Sequence, residues 1–171
     1  NVIEGGSDAD TITGGGGKDT ASYMDSAAGV QIDLSIGAAA QTSTGDGNGD
    51  KLSGILNLLG SIHVDKLTGD TNDNTIEGRD EADELDGGAG LDTLSYTFSN
   101  SGVGIQLDTN GAGTGSGGHA QSDTYKNFEN VTGSAFDDAL TGNNIVNVLK
   151  GGTGIDFIEG YGGADIIEGG D

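Results

Sequence analysis

The sequence predicts an all-β chain wound into an elongated solenoid, and three observations predict it. A nine-residue unit recurs along the chain, opening on Gly at positions 5, 14, 60, 69, 78, 87, 133, 142, 151, 160 and 169. A longer repeat of 73 residues contains it: DTASY at Asp19–Tyr23 returns as DTLSY at Asp92–Tyr96, and GVQIDL at Gly29–Leu34 returns as GVGIQL at Gly102–Leu107. The composition, with 35 Gly, no Pro, no Cys and 32% hydrophobic residues, is too poor in apolar side chains for an ordinary globular core. Units that cannot bury their own apolar face stack on their neighbours, which favours a solenoid over a pair of globular domains.

Each unit carries its own chemistry. Glycines permit a tight turn with positive φ and leave carbonyl oxygens exposed. Position 6 then supplies a side-chain oxygen: Asn1, Asp10, Asp19, Asp65, Asn74, Asp83, Asp92, Asp138, Asn147, Asp156 and Asp165. Hard oxygens from carboxylates and carbonyls form a ligand set for calcium, which takes six to eight of them at about 2.3–2.6 Å in irregular geometry. Position 8 is Ile or Leu in every copy except at Ala21 and points inward from a short strand. One copy is therefore half a coil, a metal-binding turn followed by a strand. A lone turn of this composition would be solvated, since Asp, Asn and Gly favour turns for local reasons; eleven in phase argue for calcium.

The elements follow in order. A first block of units covers 1–22, beginning with the cut copy Asn1–Glu4. An insert of 23–59 follows, in which Val30, Ile32 and Leu34 alternate with polar residues as a strand does. Gly37–Asp50 then reads as a bulging loop, and Ile55–Leu58 as a second apolar segment. The second block, 60–95, holds four units. The insert 96–132 repeats the first, with Val103, Ile105 and Leu107 as its strand, Asn110–Asp123 as its loop and Phe128–Val131 as its apolar segment. The third block is 133–171. The inserts read as irregular coils continuing the stack, the alternative being disordered linkers. Asn1 at position 6 and Asp171 at position 3 predict a segment of a longer polypeptide.

The fullest copies are GGGGKDTAS at Gly14–Ser22 and GGAGLDTLS at Gly87–Ser95. This G-G-x-G-x-D-x-U-x pattern resembles the calcium-binding nonapeptide of the RTX (repeats-in-toxin, haemolysin-type) family of type I secreted bacterial proteins. The resemblance implies a right-handed parallel β-roll, a calcium-stapled β-solenoid in which two units make one coil and turns n and n+2 stack. It implies that each ion lies between stacked turns, held by two position-6 side chains and by glycine carbonyls. The pairs would be Asp65 with Asp83, Asn74 with Asp92, Asp138 with Asp156, Asn147 with Asp165, and Asn1 with Asp19. The carbonyls would come from Gly14, Gly16, Gly60, Gly69, Gly78, Gly87, Gly133, Gly142, Gly151 and Gly160. About four to six calcium ions are expected in all.

Some copies depart from the pattern. Asn1, Asn74 and Asn147 supply an uncharged oxygen, which predicts weaker sites than those built from two Asp. Position 4 holds Asp8, His63, Asn72, Glu81, Phe136 and Ile145 instead of Gly. A β-branched Ile tolerates positive φ poorly, so the turns at Gly133 and Gly142 are expected to be distorted. Asp46, Asn48 and Asp50 alternate oxygens as an EF-hand loop does, yet Lys51 replaces the required Gly and no Glu follows, leaving only a casual extra calcium site. His63 and His119 read as surface residues, and Tyr23 and Tyr96 as packing where block meets insert.

Charge narrows the function. With 28 acidic against 6 basic residues, the formal net charge is −22, which repels nucleic acid and anionic membrane. The longest apolar stretch is far too short for a membrane span. No HExxH, cysteine nucleophile or basic cleft speaks for an enzyme, so any catalysis would lie in flanking domains outside this segment. The resemblance implies a structural module that stays unfolded in a low-calcium cytosol and folds on calcium outside the cell, secreted from or displayed on a Gram-negative bacterium. The alternative is a calcium-dependent adhesin segment that binds a glycan or a surface.

Overall fold

The computed structural model describes all of residues 1–171 and contains no α-helix, only short strands and three single-turn 3₁₀ segments. The first block gives β1 (Val2–Ile3), β2 (Thr11–Thr13) and β3 (Thr20–Ser22); the first insert gives β4 (Gln31–Asp33), β5 (Lys51–Ser53) and β6 (Asn57–Leu59). The second block gives β7 (Lys66–Thr68), β8 (Thr75–Glu77), β9 (Glu84–Asp86) and β10 (Thr93–Ser95). The second insert gives β11 (Gly104–Gln106), β12 (Gly113–Thr114), β13 (Thr124–Lys126) and β14 (Asn130–Thr132). The third block gives β15 (Ala139–Thr141), β16 (Val148–Gly152), β17 (Phe157–Glu159) and β18 (Ile166–Gly170). A half-coil of nine residues spends six on its turn, which is why most strands have only three.

Within the blocks successive strands belong to opposite walls, whereas in the inserts β4 and β5, and β11 to β13, follow one another on the same wall. One wall is a continuous eight-stranded sheet, β1-β3-β6-β8-β10-β14-β16-β18. The other is divided into β2-β5, β4-β7-β9-β13-β12 and β11-β15-β17. Within blocks the pairing is parallel, and partners lie 18 residues apart, as in Lys66 with Glu84 and Val148 with Ile166. Two nonapeptides therefore make one coil, and the architecture is a parallel β-roll with irregular coils inserted.

The inserts advance and then return. After β3 the chain runs ahead to lay β4 against β7, doubles back to lay β5 on β2, and rejoins the first wall as β6 on β3. The second insert repeats the path: β11 pairs with β15, β13 with β9 and β14 with β10. The return leg runs antiparallel, through β12 against β13 and isolated bridges Ala40–Lys51 and Gly104–Ser116.

Position-8 side chains fill the space between the walls, as the period-two geometry of a strand requires. Ile32, Leu67, Ile76, Leu94, Leu140 and Leu149 are fully buried, and 23 residues form one apolar cluster running through blocks and inserts alike. Burying each such Leu or Ile contributes roughly 1.5–3 kcal/mol. The core is a stack of mostly aliphatic side chains joined by Tyr23, Tyr96, Tyr125 and Phe128, so the turns at its edges must be satisfied separately.

Candidate metal centre

The opening glycines, except Gly169 in the last cut copy, are needed for room. The position-6 side chain folds back over its own turn and lies against the α-carbon of position 1. A Cβ at Gly78 would collide with Asp83 Oδ2, one at Gly133 with Asp138 Oδ2 and one at Gly69 with Asn74 Oδ1. Positive φ, expected at position 4, occurs at positions 2 and 4 of particular turns.

Those positions divide the turns into two kinds. In the turns opening at Gly5, Gly14, Gly78, Gly87, Gly151 and Gly160, both positions 2 and 4 are left-handed. Most are Gly, but Asp8, Arg79, Glu81 and Tyr161 adopt the same conformation. In the turns opening at Gly60, Gly69, Gly133 and Gly142 neither position is left-handed. The distortion expected from Phe136 and Ile145 is therefore absent, because their turns do not ask for positive φ.

The second kind closes on itself. Position 2 is Ser61, Asp70, Ser134 or Asn143, and its side-chain oxygen accepts from the position-4 N–H of His63, Asn72, Phe136 or Ile145 at 2.8–3.1 Å. Its own N–H donates to the position-6 oxygen of Asp65, Asn74, Asp138 or Asn147 at 2.5–2.8 Å. This is a local side-chain turn of the Asx and Ser/Thr type, complete without a metal.

The left-handed kind stays open. With position 2 turned over, its N–H no longer meets the position-6 carboxylate. Asp10, Asp19, Asp83, Asp92 and Asp156 each keep a buried Oδ2 with no hydrogen-bond partner. Burial pushes the Asp83 carboxyl up to about 8 and that of Asp92 to about 6, with nearby carboxylates adding to the shift. Asp19 Oδ1 accepts the side-chain amide of Asn1 at 2.6 Å.

Stacking joins one turn of each kind. Oδ1 of the open turn's Asp accepts the position-6 N–H of the closed turn below: Asp83 from Asp65, Asp92 from Asn74, Asp156 from Asp138 and Asp165 from Asn147, at 2.8–2.9 Å. The expected pairs are thus neighbours, with unequal roles. The open turns also press on main-chain oxygens of the closed ones. A Cβ at Gly88 would strike Asp70 O, at Gly90 Asn72 O, at Gly152 Ser134 O and at Gly163 Ile145 O.

The hydrogen-bond direction explains the Asn residues. Asn74 Nδ2 donates to Leu56 O at 2.9 Å, and Asn147 Nδ2 to Glu129 O at 2.7 Å. On the other wall Asp65 and Asp138 meet donors, the N–H groups of Val30 and Val103, at 2.6 and 2.7 Å. An amide faces a carbonyl and a carboxylate faces an N–H, so the alternation follows local donors and acceptors.

Sequence reasoning missed two position-6 equivalents. Gly45–Ser53 and Gly118–Lys126 are hidden nonapeptides, with Asp50 and Asp123 at position 6 and Leu52 and Tyr125 at position 8; the Asp-x-apolar triplet was the available signal. Asp50 Oδ1 accepts from Asp10 N and Asp123 Oδ1 from Asp83 N, both at 2.8 Å. Their second oxygens accept from Tyr23 and Tyr96 hydroxyls at 3.1 and 3.0 Å. Desolvation raises both carboxyls, Asp123 to about 7. Asp50 thus faces the core with both oxygens engaged, leaving Asp46 half-buried and Asn48 exposed in the casual site expected there. His119, expected at the surface, is buried, with Nε2 3.2 Å from Asp80 Oδ1.

No three His, Cys, Asp or Glu side chains converge in one place. The free oxygens come instead one carboxylate at a time, beside stacked carbonyls, an arrangement that suits a hard divalent cation. A buried carboxylate oxygen without a donor needs either a proton or a cation, so the residues fit calcium. A family profile described as RTX calcium-binding nonapeptide repeat (4 copies) matches residues 1–22, 59–94 and 141–171. No curated protein matches the chain.

Proposed function

Because this chain belongs to the family of RTX calcium-binding nonapeptide repeats, which marks calcium-binding modules of type I secreted proteins, we propose that it is a segment whose folding calcium completes after export. The observation that carries this reading is the set of five buried, unpartnered carboxylate oxygens in the open turns. Asp10, Asp19, Asp83, Asp92 and Asp156 would each give one free oxygen to an ion. Asp165, in the sixth open turn, would give another. Carbonyl oxygens of the closed turns, such as Asp70 and Ser134, would join them, while Asp65, Asn74, Asp138 and Asn147 hold the neighbouring turn shut.

Without a cation, buried carboxylates in one column repel one another and lack donors, which opposes folding. A bound divalent ion supplies the opposite charge, and each site filled at a hundred times its dissociation constant adds about 2.7 kcal/mol. Low calcium inside a cell would therefore keep the chain extended for export, and higher calcium outside would fold it. The segment would then lie at the surface of, or be secreted from, a Gram-negative bacterium, beside flanking domains that carry the parent protein's activity. Circular dichroism tests the reading: coil in chelator and β-structure on adding calcium are expected, and a chain equally folded in both overturns it.

A second reading is adhesion to a glycan. A polar cleft of about 390 Å³ opens on the divided wall, lined by Gln31, Thr44, Lys66, Glu84, Ser122 and Thr124 beside Asp65 and Asp83. Hydroxyl, amide and charged groups around a shallow cleft suit a sugar's hydroxyls. Glycan-array binding that disappears in chelator would support it, and an array without hits would remove it.

A further inference from the structure

The two insert columns differ from every other column in one contact. Above the open turn at Gly5 lies the hidden unit Gly45–Ser53, and above the open turn at Gly78 lies Gly118–Lys126, with β5 in register on β2 and β13 in register on β9. Asp50 and Asp123 take the ladder hydrogen bond from below, as Asp83 takes one from Asp65. Their other oxygen, the atom left without a donor in five open-turn Asp residues, accepts a tyrosine hydroxyl. Tyr23 and Tyr96 lie 27 residues before their Asp partners and 73 residues apart, and all four side chains are almost wholly buried.

We propose that the Tyr23 and Tyr96 hydroxyls stand in for a cation, so that the hidden units carrying Asp50 and Asp123 keep their register on the turns below without a calcium ion of their own. This rests on the calcium reading of the open turns. A phenol O–H gives one buried carboxylate oxygen the donor it lacks, from a rigid ring that the apolar core already holds in place. The aromatic body of each Tyr belongs to that core. The inserts would then form calcium-independent spacers between calcium-dependent blocks, and the same device in both explains why Tyr follows the block at 23 and again at 96.

The test is a calcium titration of the full chain by circular dichroism, with bound calcium counted by native mass spectrometry, for wild type, Tyr96→Phe and Tyr96→Phe/Asp123→Asn. Losing the hydroxyl leaves a buried carboxylate oxygen bare, so Tyr96→Phe should raise the folding midpoint about twofold when several ions bind together. Removing the charge as well should recover most of that shift. A midpoint unchanged in Tyr96→Phe, or a double variant no better than the single one, overturns the proposal. If Tyr96→Phe folds at no calcium concentration, the double variant decides: restored folding supports the stand-in role and continued failure overturns it. A wild-type chain that takes up no calcium overturns the open-turn reading itself, a result distinct from a wild type that binds and a Tyr96→Phe variant that does not differ.

Discussion

At the scale of the residue, position 6 does two different jobs under one sequence pattern. Asp83 holds an unpartnered Oδ2 beside an open turn, whereas both oxygens of Asp65 are engaged by Val30, Ser61 N–H and the Ser61 hydroxyl. Asp83→Asn should therefore cost one bound ion or about tenfold in affinity, while Asp65→Asn should change calcium uptake by less than about twofold. Isothermal titration calorimetry on the two variants separates them, and equal losses would show that both side chains act as ligands. The position-6 residues themselves were legible from nine-residue spacing alone. Their roles were not, because the identity of the acceptor opposite Asn74, the Leu56 carbonyl, depends on an insert strand that the repeat does not encode. Asn74 and Asn147, expected to be weaker ligands than Asp, each have a side-chain amide that donates to a carbonyl.

At the scale of the element, a closed turn is a small self-contained structure. Ser134 N–H and hydroxyl both reach Asp138, and the hydroxyl oxygen accepts from Phe136 N. Ser134→Ala keeps the first of these and loses the other two, at a cost of about 1–2 kcal/mol. In calcium, the thermal midpoint should fall by about 2–8 °C for a domain of this size, with the number of bound ions unchanged. Differential scanning calorimetry with ion counting checks this, and a lost ion would mean that the turn is part of a site. Whether a turn is open or closed could have been read from position 2, where Ser, Asp or Asn marks the closed ones. Arg79 and Tyr161 fit that rule, being left-handed at position 2 of open turns although neither is Gly. The hidden units escaped notice because Gly45 and Gly118 lie off the nine-residue phase of the flanking blocks, and Gly54 is followed by only five residues before Gly60.

At the scale of the whole molecule, buried acids tie the metal-free fold to pH. Folded values of about 8 for Asp83, about 7 for Asp123 and about 6 for Asp92 stand above an ordinary value of 3.8. The folded chain thus binds protons more tightly than the unfolded one. Their contribution to stability is fully present below pH 3.8 and is lost as pH rises through the folded values, from about 6 to about 8. In chelator, β-structure should accordingly appear on acidification to about pH 4 and be absent at pH 8. A pH titration by circular dichroism measures this, and a metal-free chain that is coil throughout would show that repulsion among the remaining charges outweighs these groups. The coil itself was readable from 73- and nine-residue periods; the doubling back of each insert was not, because local alternation at Val30 and Val103 says which way a side chain faces but not which coil its strand joins. That doubling back leaves one wall continuous over eight strands and the other divided into three sheets. A rod with an unbroken spine on one side and joints on the other has unequal bending stiffness, so the molecule should flex preferentially at its inserts, in the plane that opens and closes the divided wall.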